Sequence, residues 1–247
     1  MSAYKIGYVG MTHLGLNSAV AAADNGYETV CFDPDLALIA KLTLYELPVV
    51  EPDLPKLLKK NSERIKFTTD LSQLSLCDVV YIAADVPTND NGQSDLGRID
   101  TLISQVEPVL SMNAVMVILS QVPPGFTRAR LRPGRRLHYQ VETLIFGRAM
   151  ERARFPERFI VGCAEPSEQL PQTFAHFLGS FGCPILPMRY ESAELAKISI
   201  NMCLVASISV ANTMSELCEL TGADWSEIVP ALKLDRRIGP YSYLNPG

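Results

Sequence analysis

Lys5-Ile6-Gly7-Tyr8-Val9-Gly10-Met11-Thr12-His13-Leu14-Gly15 opens the chain, and the reading of this stretch decides the fold. Residues 5–9 form a short apolar run with strand character. Gly10 to Gly15 is a glycine-spaced turn, and Ala19 to Ala23 the body of a helix. Thr29-Val30-Cys31-Phe32 reads as a second strand, ending in Asp33. Strand, glycine turn, helix, strand and acid, in that order, make up a dinucleotide-binding βαβ unit. Gly10 permits the tight turn, and Gly15 lets the helix pack close to the sheet. The helix start then offers unpaired N–H groups and a positive dipole end to a diphosphate. Asp33, about 20 residues past the turn, is placed to accept a bond from a ribose hydroxyl. Gly10, Met11, Thr12, Leu14, Gly15 and Asp33 are the first cofactor-binding candidates.

Thr12 breaks the pattern, because the middle position of such a turn is usually glycine. Its Cβ crowds a bound phosphate, while its hydroxyl offers a donor to one. A register built on Gly7 and Gly10 leaves only residues 1–4 for the first strand and is rejected. The plainer alternative is an ordinary βα turn, with Asp33 a solvated strand end.

The chain has 247 residues, 47% of them hydrophobic and 20% charged, with a net charge of −5. That is ample for a core, and an acidic balance without a long basic run argues against nucleic acid or an anionic membrane as partner. The chain runs straight into a strand, so no signal peptide is expected and a cytoplasmic location is. The six cysteines form no C-x-x-C pair and read as buried, reduced thiols. The three histidines are scattered, so no metal site is expected.

Strand–helix alternation continues through Ile65–Thr68, Asp78–Ile82, Ala114–Leu119, His138–Val141, Phe159–Val161 and Pro184–Leu186, with helices over 35–42, 54–60, 99–110 and 168–178 between them. The continuous apolar run Ala114–Leu119 is expected of a strand covered on both faces. The order predicts an α/β fold: a doubly wound, mostly parallel Rossmann-type sheet. Ser192–Thr221 contains no proline or glycine and reads as one helix of about 45 Å, apolar on nearly every face. Such a helix calls for cover from a second domain or a partner subunit. Asn201, Ser207 and Ser209 interrupt it, so it is not read as a membrane span. Asp224-Trp225-Ser226-Glu227 is a capping box that starts a further helix.

Lys197 and Asn201, four apart on one helix face, are the strongest catalytic candidates. A lysine on so apolar a helix is costly to bury unless paired, and the pair suits a reacting hydroxyl or carbonyl oxygen. The alternative is a Glu194–Lys197 surface pair with Asn201 bonding in a core. Val86-Pro87-Thr88 and the segment Ser120–Gly125, with Gln121, follow two strand ends, where ligands of open α/β sheets lie. Glu142 sits on the same rim, as a base, an acceptor or a solvated loop acid.

These motifs together resemble the nucleotide-sugar dehydrogenases, the family typified by UDP-glucose 6-dehydrogenase. Gly10–Gly15 with Asp33 resembles the family's NAD fingerprint, Val86-Pro87-Thr88 its V-P-T loop, and Val122-Pro123-Pro124-Gly125 the end of S-T-V-P-P-G-T. Gln140-Val141-Glu142, running on to Gly147 and Ala149, is similar to N-P-E-F-L-R-E-G-x-A. Glu194-Leu195-Ala196-Lys197 with Asn201 resembles E-L-x-K-x-x-x-N, and residues 235–240 resemble D-x-R-I-G-P. The resemblance implies an NAD-dependent enzyme of polysaccharide-precursor synthesis that oxidises the primary alcohol of a nucleotide sugar twice, to the uronic acid. It implies a homodimer through the Ser192–Thr221 helix. By position, Asp33 would hold the adenosine ribose, and Val86, Pro87, Thr88 and Gln121 would line the cofactor. Lys197, Asn201 and Glu142 would serve oxidation and substrate binding, and Arg237 would reach the sugar nucleotide, in its own or the neighbouring subunit. Residues 1–190 would be the NAD-binding domain and 191–247 the helical central segment.

The departures are Thr12 for the middle glycine, Gln121 for a threonine, and Phe146 for the second glutamate of N-P-E-F-L-R-E-G. The family's nucleophilic cysteine and its C-terminal nucleotide-binding domain lie beyond D-x-R-I-G, past the end of this sequence. Without that thiol the second oxidation lacks a covalent route. Two alternatives follow: a catalytically impaired NAD-binding module of the same fold, or a β-hydroxyacid dehydrogenase, which also carries a Lys-x-x-x-Asn pair.

Overall fold

The computed structural model describes residues 4–87, 89, 91 and 94–245. The strands are β1 (Lys5–Val9), β2 (Glu28–Phe32), β3 (Ile65–Thr68), β4 (Val79–Ile82), β5 (Val115–Ile118), β6 (Arg136–Gln140), β7 (Phe159–Cys163) and β8 (Ile185–Arg189). The helices are α1 (His13–Asp24), α2 (Leu36–Thr43), α3 (Leu54–Lys60), α4 (Gly97–Val106), α5 (Ala149–Arg154), α6 (Gln172–Gly179), α7 (Tyr190–Thr221) and α8 (Trp225–Leu234). The strands form one sheet in the order β3-β2-β1-β4-β5-β6-β7-β8. Every pairing is parallel except β6 with β7, where Tyr139 faces Gly162. The doubly wound, mostly parallel sheet expected from the sequence is the one observed.

Position in the sheet follows from composition. Each residue of β4 and β5 is buried, as strands covered on both faces require. The chain winds outward from β1 through β2 to β3, then returns to place β4 on the other side of β1. That reversal between β1 and β4 opens a crevice at the carboxyl ends of the strands.

Side chains fasten the helices to this frame. Asp35 caps α2 by accepting from the amides of Ala37 (2.9 Å) and Leu38 (3.1 Å). Asp24, at the end of α1, accepts from Lys60 Nζ (2.8 Å), Asn61 Nδ2 (3.0 Å) and Arg154 Nε (2.9 Å), which ties α3 and α5 to α1. The arginines that crowd the β5–β6 connection are paired as well: Arg128 with Glu191 (2.8 Å), Arg130 with Asp100, and Arg132 with Glu107 (3.3 Å). α6 starts at Gln172, later than the sequence suggests, because Pro171 biases the residue before it away from helical backbone. α5 was not anticipated: it is a short, Arg-rich turn of helix without an apolar period.

Two compact units divide the chain after Leu195. Within the first, the start of α7 packs on the sheet. Tyr190 and Ala193 are buried, and the Tyr190 hydroxyl donates to Leu137 O at 2.6 Å. Buried Glu194 accepts from the amides of Gly125 (2.6 Å) and Thr127 (2.8 Å) and so fixes the Pro-Pro-Gly turn after β5. Glu194 is therefore not the surface partner of Lys197 that one reading of the sequence allowed.

The second unit, Ala196–Gly247, closes around its own small cluster of Ala211, Cys218, Trp225 and Leu244. The Trp225 indole donates to Leu244 O at 2.8 Å, and Asp224 caps α8 through the amide of Ser226. The rest of α7 is exposed more than its apolar sequence suggests. Met202, Val205, Val210 and Leu220 all face outward, and by length and apolarity alone α7 is sufficient to cross a membrane. Cys203 is exposed too, against the expectation of buried thiols, whereas burial pushes the Cys31 thiol up to about 12.

One contact governs the first βα turn. A Cβ on Gly15 would lie 1.9 Å from the carbonyl oxygen of Gly10, a distance no side chain tolerates. Gly15→Ala is therefore expected to destabilise the chain by more than about 2 kcal/mol. Urea unfolding checks this; an unchanged midpoint would show that the turn is not so closely packed.

Candidate functional site

The β1–α1–β2 order is the one the spacing predicts, and the surroundings of Met11, Thr12 and Asp33 differ from those the sequence suggests. Gly10 has φ +93, and its amide donates to Phe32 O at 2.9 Å. A Cβ there would meet Ala84 N at 2.9 Å, so the turn lies against the segment after β4. No side chain caps the start of α1, so the amides of its first turn stay available at the rim. The two glycines and the uncapped helix end form the cradle a dinucleotide diphosphate requires.

Thr12 is the N-cap residue of α1 but does not cap it. Its hydroxyl donates to Ala83 O at 3.2 Å, so that proton is spent on the protein and is not held out for a phosphate. Met11 is a correction: its side chain is fully buried in the core, and its amide donates to Asp33 Oδ2 at 2.8 Å. Only a close backbone approach is left to Met11 as a cofactor contact. Asp33 is not a solvated strand end either. It is fully buried, its Oδ1 accepts from the Asp35 amide at 3.0 Å, and Arg98 stands 3.6 Å from Oδ2. Each carboxylate oxygen retains acceptor capacity beyond these bonds.

Leu14, Val86, Gln121 and Glu142 come together around one cleft of about 270 Å³ at the carboxyl ends of β1, β4, β5 and β6. His13, Ala84, Asp85, Leu144 and Phe146 complete its walls. The Glu142 carboxylate accepts from the Leu144 amide, which turns the segment after β6 into the cleft. Pro87 is exposed, and its carbonyl accepts from the Asp95 amide at 2.8 Å. Thr88 lies outside the described residues. A larger cleft of about 550 Å³, near Arg136, Cys163 and Tyr190, lies by the amino end of β6 and holds none of the candidates. Size therefore points away from the rim on which α/β ligands bind, and strand direction decides in favour of the smaller cleft.

Lys197, Asn201 and Arg237 belong to the second unit. Lys197 is half-buried and Asn201 exposed, on one face of α7. Asn201 is thus no core hydrogen-bonder. Arg237 is exposed and paired with Asp235 at 2.7 Å.

His13 and Glu51 escaped sequence reasoning, as did the contact of Phe146 with His13. His13 Nε2 lies 2.7 Å from Oε1 of Glu51, whose side chain is wholly buried. Glu51 also accepts from the amides of Gly147 (2.9 Å) and Ala149 (3.2 Å). Phe146 packs on the His13 ring with centroids 4.3 Å apart. The glycine turn, the Pro-rich loop and the segment after Glu142 therefore meet at one carboxylate. Burial pushes the Glu51 carboxyl up, but His13 and the two amides outweigh it and hold the pKa below the usual value.

The comparisons with known proteins agree with this geometry. Residues 4–177 match the NAD binding domain of the UDP-glucose/GDP-mannose dehydrogenase family, and residues 191–247 match its central domain. The chain belongs to the UDP-glucose/GDP-mannose dehydrogenase family. It is 33% identical to UDP-glucose 6-dehydrogenase of Pseudomonas aeruginosa, over 94% of this chain and 55% of that protein. It is 30% identical to UDP-glucose 6-dehydrogenase TuaD of Bacillus subtilis, over 95% of this chain and 53% of the relative. The solved UDP-glucose dehydrogenase of Pyrobaculum islandicum superposes with a TM-score of 0.84 at 25% identity, covering 97% of this chain and 59% of its own. The chain spans little more than half the length of these family members. Membership displaces the β-hydroxyacid dehydrogenase alternative.

Glu51→Gln leaves His13 and two amides facing a weaker acceptor, and is expected to cost about 1–3 kcal/mol at neutral pH. Since the folded-state pKa of Glu51 is lowered, its contribution is present above the unfolded value of about 4.3 and is lost as pH falls through the folded value. Urea unfolding of both proteins should show the gap narrowing below about pH 4. A gap independent of pH would exclude an ionised Glu51.

Proposed function

We propose that this chain carries the cofactor half of an NAD-dependent nucleotide-sugar dehydrogenase, which oxidises a UDP-glucose-type alcohol to the uronic acid. The observation that carries this reading is the uncapped start of α1 behind two glycines that admit no Cβ, on the rim where the sheet reverses direction. Gly10, Gly15 and the backbone of Met11 and Thr12 cradle the diphosphate. Asp33 takes the adenosine ribose where Arg98 yields to it. Leu14, Val86, Pro87, Thr88 and Gln121 line the remainder of the coenzyme, and Glu142 stands where the reacting end arrives.

NAD, when bound, supplies the hydride acceptor. The chain's own residues handle the proton and the orientation. Lys197 and Asn201 hold the substrate oxygen as it changes from alcohol to carbonyl, and Glu142 accepts from the substrate or from an intervening water. Arg237 exchanges Asp235 for the sugar nucleotide. The exposed apolar side chains of α7 are covered by a second copy of the chain, which favours a cytoplasmic homodimer over a helix in lipid. A place in polysaccharide-precursor synthesis goes with the same chemistry. No nucleic acid and no metal enters this reading.

Calorimetric titration with NAD⁺ tests it and should show saturable binding. Lys197→Ala should abolish reduction of NAD⁺ by UDP-glucose while leaving NAD⁺ affinity within about twofold, since a group that acts on the substrate oxygen need not contribute to coenzyme binding. Substantial residual turnover in Lys197→Ala would remove that residue from the chemistry. Binding without turnover in the unaltered chain would select the impaired-module alternative.

A further inference from the structure

We propose that His13 is a coenzyme-binding residue whose imidazole, held from behind by Glu51, bonds the diphosphate as the imidazolium. The proposal rests on the coenzyme reading above and assigns a charged partner within it. The cleft has an electrostatic gap. Its described walls carry two acids, Asp85 and Glu142, and neither lysine nor arginine. Among those lining residues His13 alone can become a cation. A diphosphate brought to this cleft would otherwise meet helix amides and two carboxylates, with Arg98 standing outside these walls, 3.6 Å from Asp33. The Thr12 hydroxyl offers no relief, since it donates to Ala83 O.

The geometry around the ring suits the task. His13 is the first residue of α1, beside the amides on which a diphosphate sits. Its side chain is 14% exposed, enough to meet a ligand while remaining fixed. Nε2 is bound to Glu51 at 2.7 Å, and one ring face packs on Phe146. Among the described residues Nδ1, on the other side of the ring, has no hydrogen-bond partner. An ionised Glu51 requires Nε2 to carry a proton. The neutral ring then presents a lone pair at Nδ1, and the imidazolium presents a donor.

The charges around the ring come from several elements. The Pro-rich loop supplies Glu51, the segment after β4 supplies Asp85, and the segment after β6 supplies Glu142, all of which favour the cation. The positive end of α1 opposes it. A diphosphate adds negative charge where the helix end is positive, so coenzyme binding and protonation of His13 strengthen one another. Phe146 supports the charged ring through its π face. The residue that replaces a candidate acid in the family pattern thereby acquires a use.

The test combines histidine NMR with coenzyme titration. The chain has three histidines, and His13→Phe identifies the His13 signal while keeping an aromatic ring against Phe146. NAD⁺ should move the titration midpoint of His13 in the unaltered protein upward by about half a pH unit or more. Calorimetry should find NAD⁺ binding weakened about tenfold by His13→Phe at pH 6, and the unaltered protein's affinity falling as pH rises from 6 to 8. A His13 midpoint that saturating NAD⁺ leaves in place would overturn the proposal and leave the His13–Glu51 pair a structural tie, with the coenzyme reading intact. Failure of the unaltered protein to bind NAD⁺ at any pH would remove the coenzyme reading itself and this proposal with it. The NMR readout uses the unaltered protein, so it stands even if His13→Phe folds poorly.

Discussion

The close approach of Gly15 to the carbonyl of Gly10 is the constraint on which the rest of the site depends. With 1.9 Å between that oxygen and any Cβ, α1 can begin directly at the end of β1 only if residue 15 is glycine. The helix end therefore sits at the rim. Asp33 accepts from the Met11 amide at 2.8 Å and holds the turn in register with β2, while Thr12 ties it to the segment after β4. The Gly10 and Met11 amides and the Thr12 hydroxyl are thus committed to neighbours within the protein. Packing alone sets the helix end at the rim, with His13 the one ionisable side chain among residues 10–15.

A second device organises the segment after β5. Glu194 spends both carboxylate oxygens on the amides of Gly125 and Thr127. The Pro-Pro-Gly turn after β5, which precedes the β6 strand and follows Gln121, is therefore held by the first turns of α7. The family's central helix contributes to the rim before it reaches Lys197. The Arg128–Glu191 pair and the bond from Tyr190 to Leu137 O belong to the same fastening.

Much of this is legible in the sequence, for definable reasons. Most of the strands are apolar runs bounded by turn residues, and alternation with helical segments predicts a mostly parallel sheet, though not the antiparallel pairing of β6 with β7. Glycine spacing identifies backbone positions and leaves side-chain direction open. That is why Met11 reads as a ligand contact yet is buried, and why the destination of the Thr12 hydroxyl is hidden. Asp33 is legible as a strand-end acid, but neither its burial nor the approach of Arg98 from α4 is. His13 and Glu51 are 38 positions apart and share no periodicity, so only folding brings them together. α5 has no apolar period to announce it. For α7, apolarity states a need for cover without naming what supplies it.

The central claim is that the turn between β1 and α1 holds the diphosphate of NAD. A crystal structure of this chain with NAD⁺ addresses it most directly. The account predicts the diphosphate at the start of α1, with oxygens within hydrogen-bonding distance of first-turn amides and of His13. A diphosphate seated elsewhere, for instance in the larger cleft beside Arg136 and Tyr190, would contradict it.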